Sequence, residues 1–435
     1  MVALLKKLIL FKYWWPLVTN SIIYHRWKKI YAKIARIVYE NPAKDMFIIW
    51  VTGTDGKTTT SNIIHHIINQ HLGKTALVTT ALIKFGDEVL PNTYKMTSLD
   101  PFHLWKIIQI AKDVWCTYLV LEVASHGIHQ HRFEWIDFDM AVLTNITPEH
   151  LDYHKTFENY VNTKKELFLQ VMKNKKPSKI AILPKDDDNG RKWIDELFFD
   201  KMLSYSINTS SMVRAENIDL QYNKTTFTID YLWKPTTVNI NLPGTYNVYN
   251  TLAAIAAWLV LWVEQEKIAE CLTSFEWVVW RMEPVTHNGV RYFVDFAHTP
   301  NALKSALAYV NAIKWEWRNI VVFWAPGNRD RYKRPEMGKI AAQWSDIMII
   351  TDDDPDTEPR LRIIQEIAKW VDRKLWDTYM IIPERELAIK MAVDIAKPGD
   401  LVLLAWKWHE HIQLTNFGKR PWSDRKKLEE ILGIN

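Results

Sequence analysis

The chain has 435 residues, a net charge of +5, 48% hydrophobic and 24% charged residues, which describes a soluble globular protein with room for two or three cores. So mild a positive charge suits small anionic ligands such as nucleotides and gives no reason to expect a nucleic-acid partner. Its two cysteines, Cys116 and Cys271, lie far apart, which excludes a disulfide framework or a cysteine-based zinc site and fits a reducing, cytoplasmic compartment.

Residues 1–45 are apolar and basic, with Lys6, Lys7, Lys12, Arg26, Lys28, Lys29, Lys33 and Arg36. Charges interrupt every apolar run before it could span a bilayer, and no small-residue cleavage site follows. The segment reads as a basic amphipathic helix packed on the next domain, with peripheral membrane contact as the alternative. From 46 onward, buried strands alternate with helices. "MFIIWVTGT", "KTALVTT", "TYLVLEVAS" and "MAVLTNI" are continuous apolar strands, as a parallel sheet covered on both faces requires. Between 203 and 242, "TTFTIDYL" and "TTVNINL" alternate polar with apolar residues, the pattern of a small antiparallel unit. "YNVYNTLAAIAAWLVL" opens a helix, and a second α/β series follows with "VRYFVDFAH", "RNIVVFWAP", "DIMIITDDD" and "DLVLLAW". The expected fold is α/β: a central parallel-sheet phosphate-loop ATPase domain over 46–283, then a smaller Rossmann-like α/β domain over 284–435.

"VTGTDGKTTTS" places Gly53, Thr54, Asp55, Gly56, Lys57, Thr58 and Thr59 between a strand and a helix. Glycines let backbone N–H groups close around phosphate oxygens. Lys57 offers a point charge to the terminal phosphates, the Thr58 hydroxyl suits Mg²⁺, and the helix N-terminus faces the anion. Val51 stands where the general motif has its first glycine, so this is a variant loop. Glu122 ends a buried strand and His150 follows another. Both therefore stand at the carboxyl edge of a parallel sheet, where such folds bind ligands, and both could complete Mg²⁺ coordination. The histidines His126, His129, His131, His150 and His154 raise a zinc reading, but no HExxH arrangement exists and a phosphate loop has no part in a zinc hydrolase.

The short "GTDGKTT" loop resembles that of the Mur ligase family. The stretch 121–168, "LEVASHGIHQHRFEWIDFDMAVLTNITPEHLDYHKTFENYVNTKKELF", is similar to the MurE type, which adds the third amino acid of the peptidoglycan stem peptide. "LPGTYNVYNTLAA", "RMEPV", "VDFAHTPNAL", "PGNRDRYKRPEMG", "TDDDPDTE" and "KWHEH" follow in family order, so the resemblance covers roughly 46–420. It implies an ATP- and Mg²⁺-dependent amide ligase acting on UDP-N-acetylmuramoyl-L-alanyl-D-glutamate and an amino acid. It implies Glu122 and His150 as magnesium ligands and Lys164 as a carbamylated lysine, with Lys165 beside it as the competing candidate. It assigns Thr97, Ser98, Ser125, Gln130 and Arg132 to the acceptor, and Asn247 and Asn250 to an adenine-contacting loop. It places Asp295 and His298 in a hinge that reaches the nucleotide. It also implies that the charged loop of Arg329, Asp330, Lys333 and Arg334 closes over ATP and the amino acid, and that Asp353, Asp356, Lys407 and Glu410 complete the substrate set.

Two departures matter. Only 45 residues precede the core, where the family carries a larger uridine-nucleotide domain. Asp356 also stands where diaminopimelate-adding members have an arginine that grips the distal carboxylate, which suits a basic amino acid such as lysine or ornithine instead. Rival readings are another ligase of the superfamily, such as a folylpolyglutamate synthase or polyamide synthetase, and a non-catalytic nucleotide-binding subunit. The intact Glu122, His150 and Lys164 argue against the last.

One composition figure is abnormal. There are 22 Trp and 13 Gly, where average usage gives about 30 Gly in such a chain. The family pattern has glycine at Trp50, Trp280, Trp324, Trp406 and Trp408, and Trp135, Trp258 and Trp277 look alike. A gene in which UGA means glycine, rendered here as tryptophan, would account for this.

Overall fold

The computed structural model describes residues 22–434, apart from 95, 232–233, 262–263, 276–281, 315, 329, 353, 406–411 and 416–417. Arg329, Asp353, Lys407, Glu410, Trp277, Trp280, Trp406 and Trp408 lie outside the described residues.

An eleven-stranded sheet forms the first unit, in the order β11-β10-β9-β8-β7-β6-β1-β5-β2-β3-β4. Its centre is β1 (Phe47–Thr52), flanked in parallel by β5 (Tyr118–Val123) and β6 (Met140–Leu143). Parallel pairing continues through β2 (Thr75–Val78) on one side and β7 (Ile180–Pro184) and β8 (Lys201–Ser206) on the other. The antiparallel β3 (Leu82–Phe85) and β4 (Glu88–Pro91) finish one edge. At the other edge, β9 (Val213–Leu220), β10 (Thr225–Tyr231) and β11 (Lys234–Ile240) pair antiparallel with one another. They are not a separate unit, because β9 pairs parallel with β8 and extends the central sheet.

Side-chain alternation sends β1 into two cores. Ile49 and Val51 join the layer with Ile63, Ile67 and Leu252, from helices Lys57–His71 and Thr245–Val260. Ile48 and Trp50 join the opposite layer with Trp105, Phe138 and Phe168. Trp50 is thus a strand residue, paired with Leu121 and Ala141, not a turn residue.

The second sheet has the order β12-β13-β17-β14-β15-β16. Here β13 (Val290–Asp295), β14 (Asn319–Phe323), β15 (Ile347–Ile350), β16 (Tyr379–Ile381) and β17 (Leu401–Ala405) run parallel, and β12 (Glu283–His287) is the antiparallel edge. A hairpin of β18 (Ile412–Thr415) and β19 (Gly418–Pro421) follows. Near the start of the chain, helix Ile22–Val38 buries Tyr24, Ala32 and Ala35, and its Tyr31 hydroxyl donates to Asp100 at 3.0 Å. Ile22, Ile23, Ile30, Ile37 and Val38 stay exposed. No helix among the described residues is long and apolar enough to cross a membrane.

Candidate functional site

The site is built at the carboxyl ends of β1, β5 and β6. Past β1 the chain turns at Gly53 and Gly56, with φ of 153° and 81°. Neither position has space for a side chain. A Cβ at Gly53 would lie 1.8 Å from Thr144 Oγ1, and one at Gly56 would lie 2.1 Å from Asn250 Oδ1. The turn feeds helix Lys57–His71, whose first N–H groups face the loop. Lys57 Nζ donates to the carbonyls of Gly53 (3.1 Å) and Thr54 (2.7 Å). The Thr54 hydroxyl bonds Thr147 O at 3.0 Å and Tyr160 Oη at 2.9 Å, which fixes the outer rim, and Thr59 is buried in the first turn.

Thr58 Oγ1 donates to Glu122 Oε2 at 3.0 Å, and Thr80 N–H donates to the same oxygen at 2.8 Å. The hydroxyl and carboxylate therefore meet at the foot of the loop as a pair of hard oxygen donors suited to magnesium. Thr80 Oγ1 continues to Thr97 Oγ1 at 2.9 Å. Ser98 accepts from Ala124 N–H at 3.0 Å, and its carbonyl takes a short bond from Arg132. Arg132 also holds Gln130 Oε1, at 2.7 and 3.1 Å, and Ser125 Oγ lies 2.9 Å from His154 Nε2. Thr97, Ser98, Ser125, Gln130 and Arg132 thus share one edge, continuous through Thr80 with Glu122.

The two adjacent lysines of helix Phe157–Lys173 face opposite ways. Lys164 is buried, its Nζ 2.7 Å from Gly53 O and 4.7 Å from the centre of the Tyr160 ring. Burial, with Lys57 adding repulsion, pushes its ammonium well below the ordinary lysine range. Lys165 points outward to Glu196. His150, at φ 55°, packs on His126 with ring centres 4.6 Å apart. Burial lowers it to about 4 against the pull of Glu149, so its imidazole is neutral and able to ligate at neutral pH. Among the described residues no three His, Cys, Asp or Glu side chains converge as a metal cage.

Asn247 and Asn250 differ from expectation. They belong to the buried first turns of helix Thr245–Val260 rather than to a loop. Asn250 Nδ2 donates to Asn247 Oδ1 at 3.1 Å, and the Asn250 side chain closes over Gly56. The segment after β14 also differs. Lys333 and Arg334 begin helix Lys333–Trp344 and are buried. Arg334 is clamped by Glu358 and Glu366, at 2.8 and 2.7 Å, and donates to Pro326 O. It braces this unit and does not present a free charge. Asp330 is buried and accepts from Tyr332 N–H at 3.0 Å. Asp295 accepts from Met282 N–H at 2.8 Å. Asp356, at φ 53°, accepts from Asn328 at 3.1 Å.

The sequence reading missed the contacts that join the two units. Thr299 Oγ1 donates to both Asp55 oxygens at 3.1 Å, and Asn301 reaches Asp55 at 3.3 Å. Glu149, buried between the units, has His298 Nε2 at 3.3 Å, His150 Nε2 at 3.6 Å and Lys333 Nζ at 4.0 Å. Lys333 also donates to His298 O at 3.0 Å. Burial favours the neutral acid at Glu149, but His150, His298 and Lys333 outweigh it and hold the carboxyl well below its usual range. The one available signal was an acid directly before a candidate metal ligand.

Two family profiles match this arrangement: the Mur ligase middle domain over 51–258, and the Mur ligase glutamate ligase domain over 280–405. The chain belongs to the Mur ligase family. It is 34% identical over 402 residues to the UDP-N-acetylmuramoyl-L-alanyl-D-glutamate–2,6-diaminopimelate ligase of Caldanaerobacter subterraneus, covering 92% of this chain and 81% of that one. A UDP-N-acetylmuramyl-tripeptide synthetase of Roseiflexus is 33% identical over 92% of this chain and 81% of its own. Among solved structures, a UDP-N-acetylmuramoyl-L-alanyl-D-glutamate–2,6-diaminopimelate ligase superposes with a TM-score of 0.64 at 26% identity, over 93% of this chain and 83% of that one. The Mur ligase fold agrees with the α/β architecture expected from the sequence.

Proposed function

We propose that this Mur ligase couples ATP cleavage to amide-bond formation, joining an amino acid to UDP-N-acetylmuramoyl-L-alanyl-D-glutamate in peptidoglycan synthesis. The observation that carries this reading is the phosphate loop held between both units, with Thr58 and Glu122 at its foot and Asp55 bonded to Thr299 and Asn301.

In the reaction a free carboxylate oxygen of the acceptor attacks the γ-phosphorus of ATP. The bond to the bridging oxygen breaks, giving ADP and an acyl phosphate. The amino group of the incoming residue then attacks the acyl carbon, phosphate departs, and the nitrogen loses a proton. Little covalent work falls to the protein. Lys57 would exchange its loop carbonyls for phosphate oxygens, and the loop N–H groups would hold the transferring group in line. Mg²⁺ would be held by Thr58 and Glu122 with His150, and a carbamylated Lys164 would supply a carboxylate-like ligand to a second ion. Bound there, magnesium neutralises phosphate charge. Only the neutral amine captures CO₂, and the burial of Lys164 shifts it toward that form. Arg132, Gln130 and Ser98 would orient the acceptor beside Thr97, and His298 and Lys333 would carry the amino-acid-binding unit onto the loop.

The test is ADP release with purified protein and MgATP. Release should require both the UDP-muramoyl dipeptide and an amino acid, with the tripeptide product seen by mass spectrometry. ADP release with a folate or oligo-amide acceptor and none with the muramoyl dipeptide would favour the rival ligases. No release with any acceptor would favour a binding subunit.

A further inference from the structure

Three tryptophans hold backbone conformations that their side chain disfavours. Trp115, Trp135 and Trp376 have φ of 66°, 75° and 67°. Asn and Asp tolerate that left-handed region; for a bulky side chain it is an outlier.

Each of the three occupies a place that asks for glycine. Helix Pro101–Asp113 ends with Cys116 N–H bonded to Ala111 O at 2.8 Å and Trp115 N–H bonded to Lys112 O at 2.9 Å. That pair of bonds defines a helix stop whose left-handed residue is normally glycine. The same chain builds the same stop with Gly433, at φ 68°, where Ile434 N–H meets Glu429 O and Gly433 N–H meets Glu430 O. Trp115 in this role is 84% exposed, so no packing rewards the strain. Trp135 is the third residue of a turn closed by Ile136 N–H on Phe133 O at 3.1 Å. Trp376 is the third residue of a turn closed by Asp377 N–H on Lys374 O at 3.3 Å. Positive φ at that position is the glycine site of a type II turn.

A fourth position fails through packing. Trp50 is fully buried, and its ring centre lies 3.2 Å from that of Phe138 with the planes tilted by 65°. Aromatic pairs settle about 4.5–7 Å apart. Its indole N–H also has no acceptor among the described residues. Trp422 contrasts with Trp50: it is buried and its Nε1 donates to Asp424 at 2.8 Å, as a tryptophan chosen for its site should. The exposed Trp135 does reach an acceptor, Lys29 O at 3.2 Å, so its assignment rests on its backbone alone.

We propose that the native chain carries glycine at positions 50, 115, 135 and 376, inserted by a glycine-charged tRNA that reads UGA, and tryptophan at 422. UGA differs from the tryptophan codon UGG only in its third base, so one decoding rule explains all four positions. The four positions shift the composition in the right direction, from 22 Trp and 13 Gly to 18 and 17, and the same rule at further tryptophans would bring glycine toward its average usage. Trp115 and Trp376 come from backbone geometry alone, and the inference stands whether or not the ligase reading holds.

The gene's codons give the first test, with UGA expected at the four positions and UGG at Trp422. Peptide mass spectrometry of the protein from its own source gives the second, with each of the four peptides lighter by an indolylmethyl group in exchange for hydrogen. UGG codons, or tryptophan in the peptides spanning 115, 135 and 376, would overturn the proposal. For the chain made as written, Trp115→Gly, Trp135→Gly and Trp376→Gly should each raise Tm by about 1–3 °C, and Trp422→Gly should lower it. A lower Tm in all three would remove the strain argument.

Discussion

Glu149→Gln should uncouple the two halves of the enzyme without unfolding either. The carboxylate is buried where the units meet, with Lys333 at 4.0 Å, His298 at 3.3 Å and His150 at 3.6 Å. His150 is neutral at neutral pH, so Lys333 is the fixed cation in the group. Two unit charges at that separation, in an effective dielectric of about 20, attract by about 4 kcal/mol. Glutamine keeps the volume and one oxygen for His298, so the net loss should be about 2–3 kcal/mol. If the closed arrangement is the reactive one, kcat/KM falls by about 30- to 150-fold. The assay is steady-state ADP release with both substrates varied, alongside thermal unfolding of each variant. Lys333→Met should cost a similar amount, and the double variant should cost little more than either single one. Activity within about threefold of the parent, or additive losses in the double variant, would refute the view of Glu149 as the latch.

Lys57→Ala should lower turnover by at least about 10³-fold, because the transferring phosphoryl group loses its charged partner; near-parental rates would remove the phosphate-loop assignment. Lys164→Ala should be nearly inactive and partly restored by added short carboxylates, with Lys165→Ala close to parental; the reverse pattern would show that the outward lysine is the functional one. Stability should fall as pH drops below 6.5. His65, His126 and His154 are pushed to about 3, chiefly by burial, so the unfolded chain binds more protons in that range. Each such histidine costs up to about 1.4 kcal/mol per pH unit, seen as a falling Tm between pH 6.5 and 4, and a flat Tm would contradict their burial.

The parallel sheets were legible because strands buried on both faces leave uninterrupted apolar runs such as "FIIWVT" and "YLVLEV". Gly53 and Gly56 were legible because phosphate-loop chemistry fixes both spacing and residue type. The attachment of β9 to β8 was not, since it rests on Tyr205 opposite Val213 and Ser206 opposite Arg214, a register that no local pattern encodes. Glu149 was also hidden. Its partners His298 and Lys333 are far along the chain, and a buried acid is marked only by what surrounds it. Arg334 misled for the same reason. A charged run reads as a solvated or ligand-facing loop, and only the distant Glu358 and Glu366 reveal it as an internal clamp. Local periodicity encodes burial of apolar faces, whereas burial of charge depends on pairs that sequence spacing does not show.

The prediction for the third amino acid rests on Asp356. Its turn is braced from behind: a Cβ on Gly327 would lie 1.9 Å from Pro355 O, and Asn328 ties to Asp356, Thr357 and Glu358 at 3.1, 2.7 and 3.0 Å. The exposed carboxylate is therefore held in place. Among the described residues, Arg360 is bonded to Asp352 and Glu384, and Arg362 lies within 3.5 Å of Glu366. Like charges 4 Å apart repel by about 1 kcal/mol in water and about 4 kcal/mol in a partly closed site. The distal carboxylate of meso-diaminopimelate would meet that repulsion, and the lone distal ammonium of lysine or ornithine would be attracted. Lysine or ornithine should therefore outcompete meso-diaminopimelate by at least about tenfold, although curated relatives at 34% identity are diaminopimelate ligases. The measurement is a three-way competition scored by product mass, using protein made with glycine at positions 50, 115, 135 and 376. Asp356→Arg should reverse the order. Preference for meso-diaminopimelate in the parent, or unchanged selectivity in the arginine variant, would mean that selection is made elsewhere in the site.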